Sequence, residues 1–170
     1  MSHDTRTPMT VDFVAEHVEP TPAELARGFR LRFVDEAAVV QLAERSISDG
    51  GSPDPALDAL SLLLADEVDR VEPLICDIEE RHAVDATEAS RIWLYLVLLL
   101  AFEGRNASGN PMSDIEQIYA DFDYPEEIES FVPFLPAPEG RAPGPEGIEA
   151  GWVAYLQARD IEFRERGSTD

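Results

Sequence analysis

Apolar residues recur three or four apart in segment after segment of this chain, the spacing that lines up one face of an α-helix. Val11, Phe13, Val14 and Val18 mark a first short helix. Pro20 stops it, because proline has no N–H to continue the ladder. Thr21-Pro22-Ala23-Glu24 reads as a capping box with proline in the first helical position, opening a helix that carries Leu25 and ends near Gly28. From Asp35 to about Ile47, the residues Ala38, Val39, Leu42, Ala43 and Ile47 form the stripe of an amphipathic helix. Asp54-Pro55 restarts a helix with Leu57, Leu60, Leu63, Leu64 and Val68 on one side. Pro73 interrupts it before Leu74, Ile75 and Ile78 continue toward Arg81-His82.

A second capping box, Asp85-Ala86-Thr87-Glu88, opens the most apolar helix of the chain. Between Ile92 and Phe102 almost no polar face remains, which predicts a central helix with neighbours on several sides. Asn106 to Pro111 reads as loop, and Ser113-Asp114-Ile115-Glu116 as a third capping box, leading into Ile118 and Tyr119. Pro125 opens a further helix, with Glu126 and Glu127 in its electropositive first turn and Ile128, Phe131 and Val132 facing inward. A Pro/Gly-rich loop spans 136–147, and a last helix from about Glu146 to Arg164 turns Trp152, Tyr155, Leu156 and Phe163 to the core. Only Phe29 to Val34 alternates like a strand; without a partner it reads as an extended connection. The pattern predicts an all-α fold: a single compact domain over 1–170, about seven or eight short helices around the 92–102 helix, with frayed ends at 1–8 and 166–170.

Composition narrows the function. The 170 residues carry 35 Asp and Glu against 13 basic residues, all Arg, for a net charge of -22. That sign opposes binding to nucleic acid or to an anionic membrane. The 44% apolar share separates the chain from acidic disordered sequences. Its one cysteine, Cys76, excludes an internal disulfide; in the run Leu74-Ile75-Cys76 it is expected to be buried filler. The N-terminus shows no basic stretch followed by an apolar run, which predicts a cytoplasmic protein. The eleven apolar-rich residues from Ile92 to Phe102 are too few to span a bilayer.

The candidate site is the stretch from Asp114 to Glu129, which holds Asp114, Glu116, Asp121, Asp123, Glu126, Glu127 and Glu129 with no basic residue between them. Such crowding costs self-repulsion that a cationic partner relieves. Part of it has a local role, since Glu116, Glu126 and Glu127 suit helix N-termini. Phe122 and Tyr124 flank Asp123; one suits the staple of the Pro125 helix and the other a partner anchor, with core packing the first expectation for Phe122, Phe131 and Phe134. The tentative partner-binding set is therefore Asp114, Asp121, Asp123, Tyr124, Glu126, Glu127 and Glu129. Asp121 and Asp123 do not make a Ca²⁺ loop, which needs a Gly at its sixth position and a closing Glu. His3, His17 and His82 are isolated from one another; His82 suits a helix C-terminus. No HExxH, Gly-x-Ser-x-Gly or phosphate loop occurs. We therefore expect no enzyme, no metal and no cofactor. The sequence leaves the oligomeric state open.

The run Ile118-Tyr119-Ala120-Asp121-Phe122-Asp123-Tyr124-Pro125-Glu126-Glu127-Ile128-Glu129-Ser130-Phe131 resembles the signature of a bacterial family of uncharacterised proteins, domain-of-unknown-function family 2247. The likeness extends more loosely through Glu24 to Phe29, Ala38 to Ala43, Ile92 to Val97, Phe134 to Pro136 and the Trp152 helix. Around Val132-Pro133, where relatives tend to carry aromatic or basic residues, this chain is apolar. The family brings no catalytic residues. Some members look like immunity proteins encoded beside secreted toxins, which implies a basic protein partner, a cognate toxin among the candidates. The alternative is a stand-alone helical domain whose acids answer to high salt or to compositional habit. Its acids are spread as 11 in residues 1–60, 10 in 61–110 and 14 in 111–170.

Overall fold

The computed structural model describes residues 9–48, 54–82, 85–107, 109–133, 135 and 144–168. Among them there is no strand. The elements run α1 (Val11–His17), α2 (Pro22–Arg30), α3 (Glu36–Ser48), α4 (Pro55–Ser61), a 3₁₀ turn (Val68–Arg70), α5 (Val71–Arg81), α6 (Ala86–Glu103), α7 (Pro111–Asp121), a second 3₁₀ segment (Glu126–Phe131) and α8 (Pro145–Ser168). The fold is all-α, as the periodicity predicts. It divides into two compact units, Met1–Trp93 and Leu94–Asp170, with the division falling inside α6. The end 1–8, Phe134, residues 136–143 of the expected 136–147 loop and residues 169–170 of the expected 166–170 fray lie outside the described residues; α8 already begins at Pro145 and runs on to Ser168, so 145–147 and 166–168 are helical instead.

In the first unit, α2 starts on the predicted capping box. Thr21 Oγ1 accepts from the Glu24 N–H (3.2 Å), and Glu24 Oε1 accepts from the Thr21 N–H (2.9 Å). The centre of the unit is Trp93. Its indole N–H donates to the Glu24 carbonyl (2.7 Å), and its ring stacks on Phe33 with centroids 6.1 Å apart. Gly28 leaves the space for this. A Cβ there would fall inside the contact distance of Trp93 Cζ2 and Cε2 and 2.7 Å from Cη2. Arg27 Nε, one residue away, donates to Ser90 Oγ (2.9 Å) on α6.

Asp54 is the buried N-cap of α4. Its Oδ1 accepts from the N–H groups of Ala56 (2.8 Å) and Leu57 (3.1 Å), while its Oδ2 meets the His82 ring at the end of α5. Burial pushes this carboxyl up, but the His82 contact and the two backbone N–H groups outweigh it and leave it below its ordinary value.

In the second unit, α8 buries Trp152, Tyr155, Leu156 and Phe163, as expected. The Trp152 indole N–H donates to the Leu98 carbonyl (3.1 Å), and its ring meets Phe102 edge-on at 5.2 Å. Tyr95 packs on Phe163 at 5.5 Å; burial and the nearby Asp160 carboxylate push its phenol up to about 12.

Several expectations need correction. The helix from Pro55 stops at Ser61, and Leu62, Leu64 and Val68 are exposed. Pro73 does not interrupt a helix; it sits in the first turn of α5, where an N–H has no intrahelical acceptor anyway. Ser113 is not a cap. α7 begins two residues earlier, with Asn110 as N-cap and Pro111 as first residue, the same cap-then-proline rule that holds at Asp54-Pro55. Cys76 is exposed, because α5 turns Val71, Ile75 and Ile78 inward and the next residue after Ile75 lies about 100° around the helix. Ile47 and Leu100 are likewise exposed, so burial of the apolar α6 run covers Ile92 to Leu96 and Leu98 but not its last turn.

Gly28→Ala tests the Trp93 notch. Helix propensity alone would make the alanine about 1 kcal/mol more stable. The clash with the indole reverses that, and urea unfolding should show a loss of about 1–3 kcal/mol. Gly109→Ala, where no atom lies within 4 Å of the new methyl, should stay within about 0.5 kcal/mol of the parent.

Candidate functional site

The acidic stretch is built by α7, the turn after it and the second 3₁₀ segment. α7 buries Ile115, Ile118 and Tyr119, an i, i+3, i+4 stripe. The 3₁₀ segment buries Ile128 and Phe131, three apart, which is its own repeat. With these stripes inward, Asp121, Asp123, Glu126 and Glu129 are exposed, while Asp114, Glu116 and Glu127 are half-buried. Pro125 is the N-cap of this segment, not the first residue of an α-helix as expected, and Glu126, Glu127 and Glu129 lie in its first turn.

Between the two elements the chain reverses in a Schellman turn. The Tyr124 N–H donates to the Tyr119 carbonyl (2.8 Å) and the Asp123 N–H to the Ala120 carbonyl (3.2 Å). This turn normally uses glycine at the left-handed position. Here Asp123 (φ 59°) and Tyr124 (φ 58°) both adopt it, at a cost of order 1–3 kcal/mol each. The conformation sets Tyr124 edge-on against Tyr119, centroids 5.2 Å apart, while leaving it 58% exposed. Tyr124 is thus the aromatic held outward, and Phe122 is half-buried.

The seven candidate residues do not share one role. Glu129 accepts from the buried Tyr119 hydroxyl (3.1 Å), and Glu127, half-buried, accepts from the Tyr155 hydroxyl (3.0 Å). Asp121 accepts from Gln117 (2.9 Å), and Asp114 is half-buried in the first turn of α7. Asp123 and Glu126 are exposed and make no ion pair among the described residues. The surface therefore centres on Asp123, Tyr124 and Glu126, with Asp121 at its edge, while Glu127 and Glu129 are tied to tyrosine hydroxyls. The Tyr119 phenol is raised above its ordinary value by burial first, then by Glu129, with Tyr124 and Glu126 adding.

Some clusters escaped the sequence reading. Arg30 on α2 reaches α5, where it pairs with Glu79 (2.8 Å) and Glu72 and lies 3.3 Å from the Cys76 sulfur. The Asp54–His82 contact joins residues 28 apart. Asp54 was legible as a cap and His82 as a helix end, but no spacing rule connects them. Among the described residues no three His, Cys, Asp or Glu side chains gather as metal ligands would, and no helix is long and apolar enough to cross a membrane.

An all-α chain with an acidic, aromatic-centred turn is the class these features define. The family model described as "Uncharacterized protein conserved in bacteria (DUF2247)" matches residues 11–160, and the chain belongs to that family. No curated protein and no solved structure matches it.

If the left-handed turn is held at the expense of stability, Asp123→Gly should stabilise the fold. Glycine takes φ near +60° without a Cβ penalty. Thermal or urea unfolding should show a gain of about 0.5–1 kcal/mol; a loss would mean that the aspartate side chain itself supports the turn.

Proposed function

We propose that this chain is a non-catalytic protein-binding domain that engages a basic protein through the surface centred on Asp123, Tyr124 and Glu126. A cognate bacterial toxin, neutralised by direct binding, is among the candidate partners, as the resemblance of some family members to immunity proteins suggests. The observation that carries the reading is the pair of left-handed residues. Two adjacent non-glycine residues in that region are costly, and their consequence is an exposed tyrosine set edge-on against Tyr119 among carboxylates. An aromatic anchor ringed by acids supplies apolar area and directional hydrogen bonds to lysine and arginine side chains. Fixing it before binding lowers the ordering cost on contact. From Asn106 to Gly140 the chain has no basic residue, so nothing nearby in sequence neutralises the field that steers a cationic partner inward.

The test is kinetic, with the products of neighbouring genes as candidate partners. Asp123→Lys and Glu126→Lys together should slow association with the basic partner roughly tenfold at low salt and flatten its dependence on ionic strength. Tyr124→Ala should act chiefly on dissociation, by ten-fold or more. Unchanged kinetics in both variants would move the interface elsewhere and return these acids to the salt-adapted reading.

A further inference from the structure

A second surface stands out in the first unit, on the connection between α4 and α5. Leu62 is 72% exposed, Leu64 66% and Val68 40%, while Leu63 between the leucines is 8% exposed. Alternation explains this: Leu63 plugs the core, and its two neighbours point outward. Only Ile47, at 37%, joins them among the exposed large apolar residues described in that unit. Surface leucines are common singly; three within seven residues form a patch.

The segment is also held in shape. The Glu67 N–H donates to the Leu64 carbonyl (2.9 Å), and Glu67 Oε1 accepts from the Leu64 N–H (3.1 Å), a reciprocal clasp around Leu64. Arg70 Nη1 donates to the other oxygen of Glu67 (2.8 Å). The Leu64 N–H and Arg70 hold the Glu67 carboxyl below its ordinary value. The leucines are therefore displayed on a hydrogen-bonded turn.

Charge selects what can cover them. Asp58, Asp66 and Asp69, each within four residues of a patch residue in sequence, are exposed and make no ion pair among the described residues, while Arg70, the one basic residue between Ser61 and Glu80, is already on Glu67. A second copy of the chain would bring the same aspartates against themselves with no cation to spare. Nucleic acid and an anionic bilayer carry the same sign as the collar. We propose that the Leu62, Leu64 and Val68 knuckle docks an amphipathic, basic segment of another protein, its apolar face on the leucines and its Arg or Lys side chains on Asp58, Asp66 and Asp69. This surface is independent of the α7 turn, and either can fail without the other.

The probe is a synthetic helix of Leu and Arg about 18 residues long, five turns, patterned with Leu on one face. A scrambled peptide of the same composition and a Leu/Glu version serve as controls. Isothermal titration against the full chain should show saturable binding of the patterned peptide and at least tenfold weaker binding of the scrambled one. The pair Leu62→Ser, Leu64→Ser should weaken binding of the patterned peptide tenfold or more with an unchanged melting temperature, because both side chains are outside the core. Asp66→Lys with Asp69→Lys should weaken it and flatten its salt dependence. Asp123→Lys with Glu126→Lys, on the α7 turn, should leave the leucine-dependent part intact. Absence of saturable binding, equal binding of the scrambled peptide or indifference to the serine pair would each overturn the proposal. Self-association of the chain alone that the serine pair abolishes would overturn it too, in favour of a second copy.

Discussion

The contact between Trp93 and the bare backbone at Gly28 governs the first unit. A tryptophan offers more apolar area than any other side chain, but burial requires a partner for its N–H and flat walls for its ring. Helix α2 provides both within one turn: the Glu24 carbonyl takes the N–H and Gly28 offers the wall. Phe33 closes the other side, positioned by its own N–H on the Gly28 carbonyl at 3.0 Å. The Thr21–Glu24 capping box fixes where α2 starts, and so sets the register that places Gly28 against the indole. Cap, helix, notch and ring thus specify one another.

The second unit applies the same economy to charge. Mutual repulsion among so many acids destabilises a compact chain, yet several carboxylates here do structural tasks. Glu127 and Glu129 receive tyrosine hydroxyls, and both lie in the first turn of a 3₁₀ segment where exposed N–H groups favour negative charge. Removing those acids from the functional account sharpens it, because what is left is small: Asp123, Tyr124 and Glu126, on and just beyond a strained turn. A glycine would have made that turn at lower cost but would have carried no side chain.

Much of this was legible in the sequence. Capping chemistry is local, so Thr21-Pro22, Asp54-Pro55 and the α8 stripe of Trp152, Tyr155 and Leu156 were read correctly. Errors arose where two local signals competed. Asn110-Pro111 and Ser113-x-x-Glu116 both announce a helix start, and the earlier one governs. The leucines after Leu60 continue a helical spacing, but the helix ends at Ser61 and the chain turns Leu62 and Leu64 outward. Long-range features had no signal at all: the Trp93–Gly28 contact spans 65 positions, and nothing in Phe122-Asp123-Tyr124-Pro125 announces positive φ. The acid run itself was visible; which of its members are tied down by Tyr119 and Tyr155 depended on the fold.

The central claim is that a basic protein partner covers the turn after α7. Amide hydrogen exchange, measured on the full chain with and without that partner, tests it most directly. Added protection is expected from Tyr119 to Glu129, centred on the Asp123 and Tyr124 amides. Protection that leaves this segment at its free rate while appearing elsewhere would contradict it.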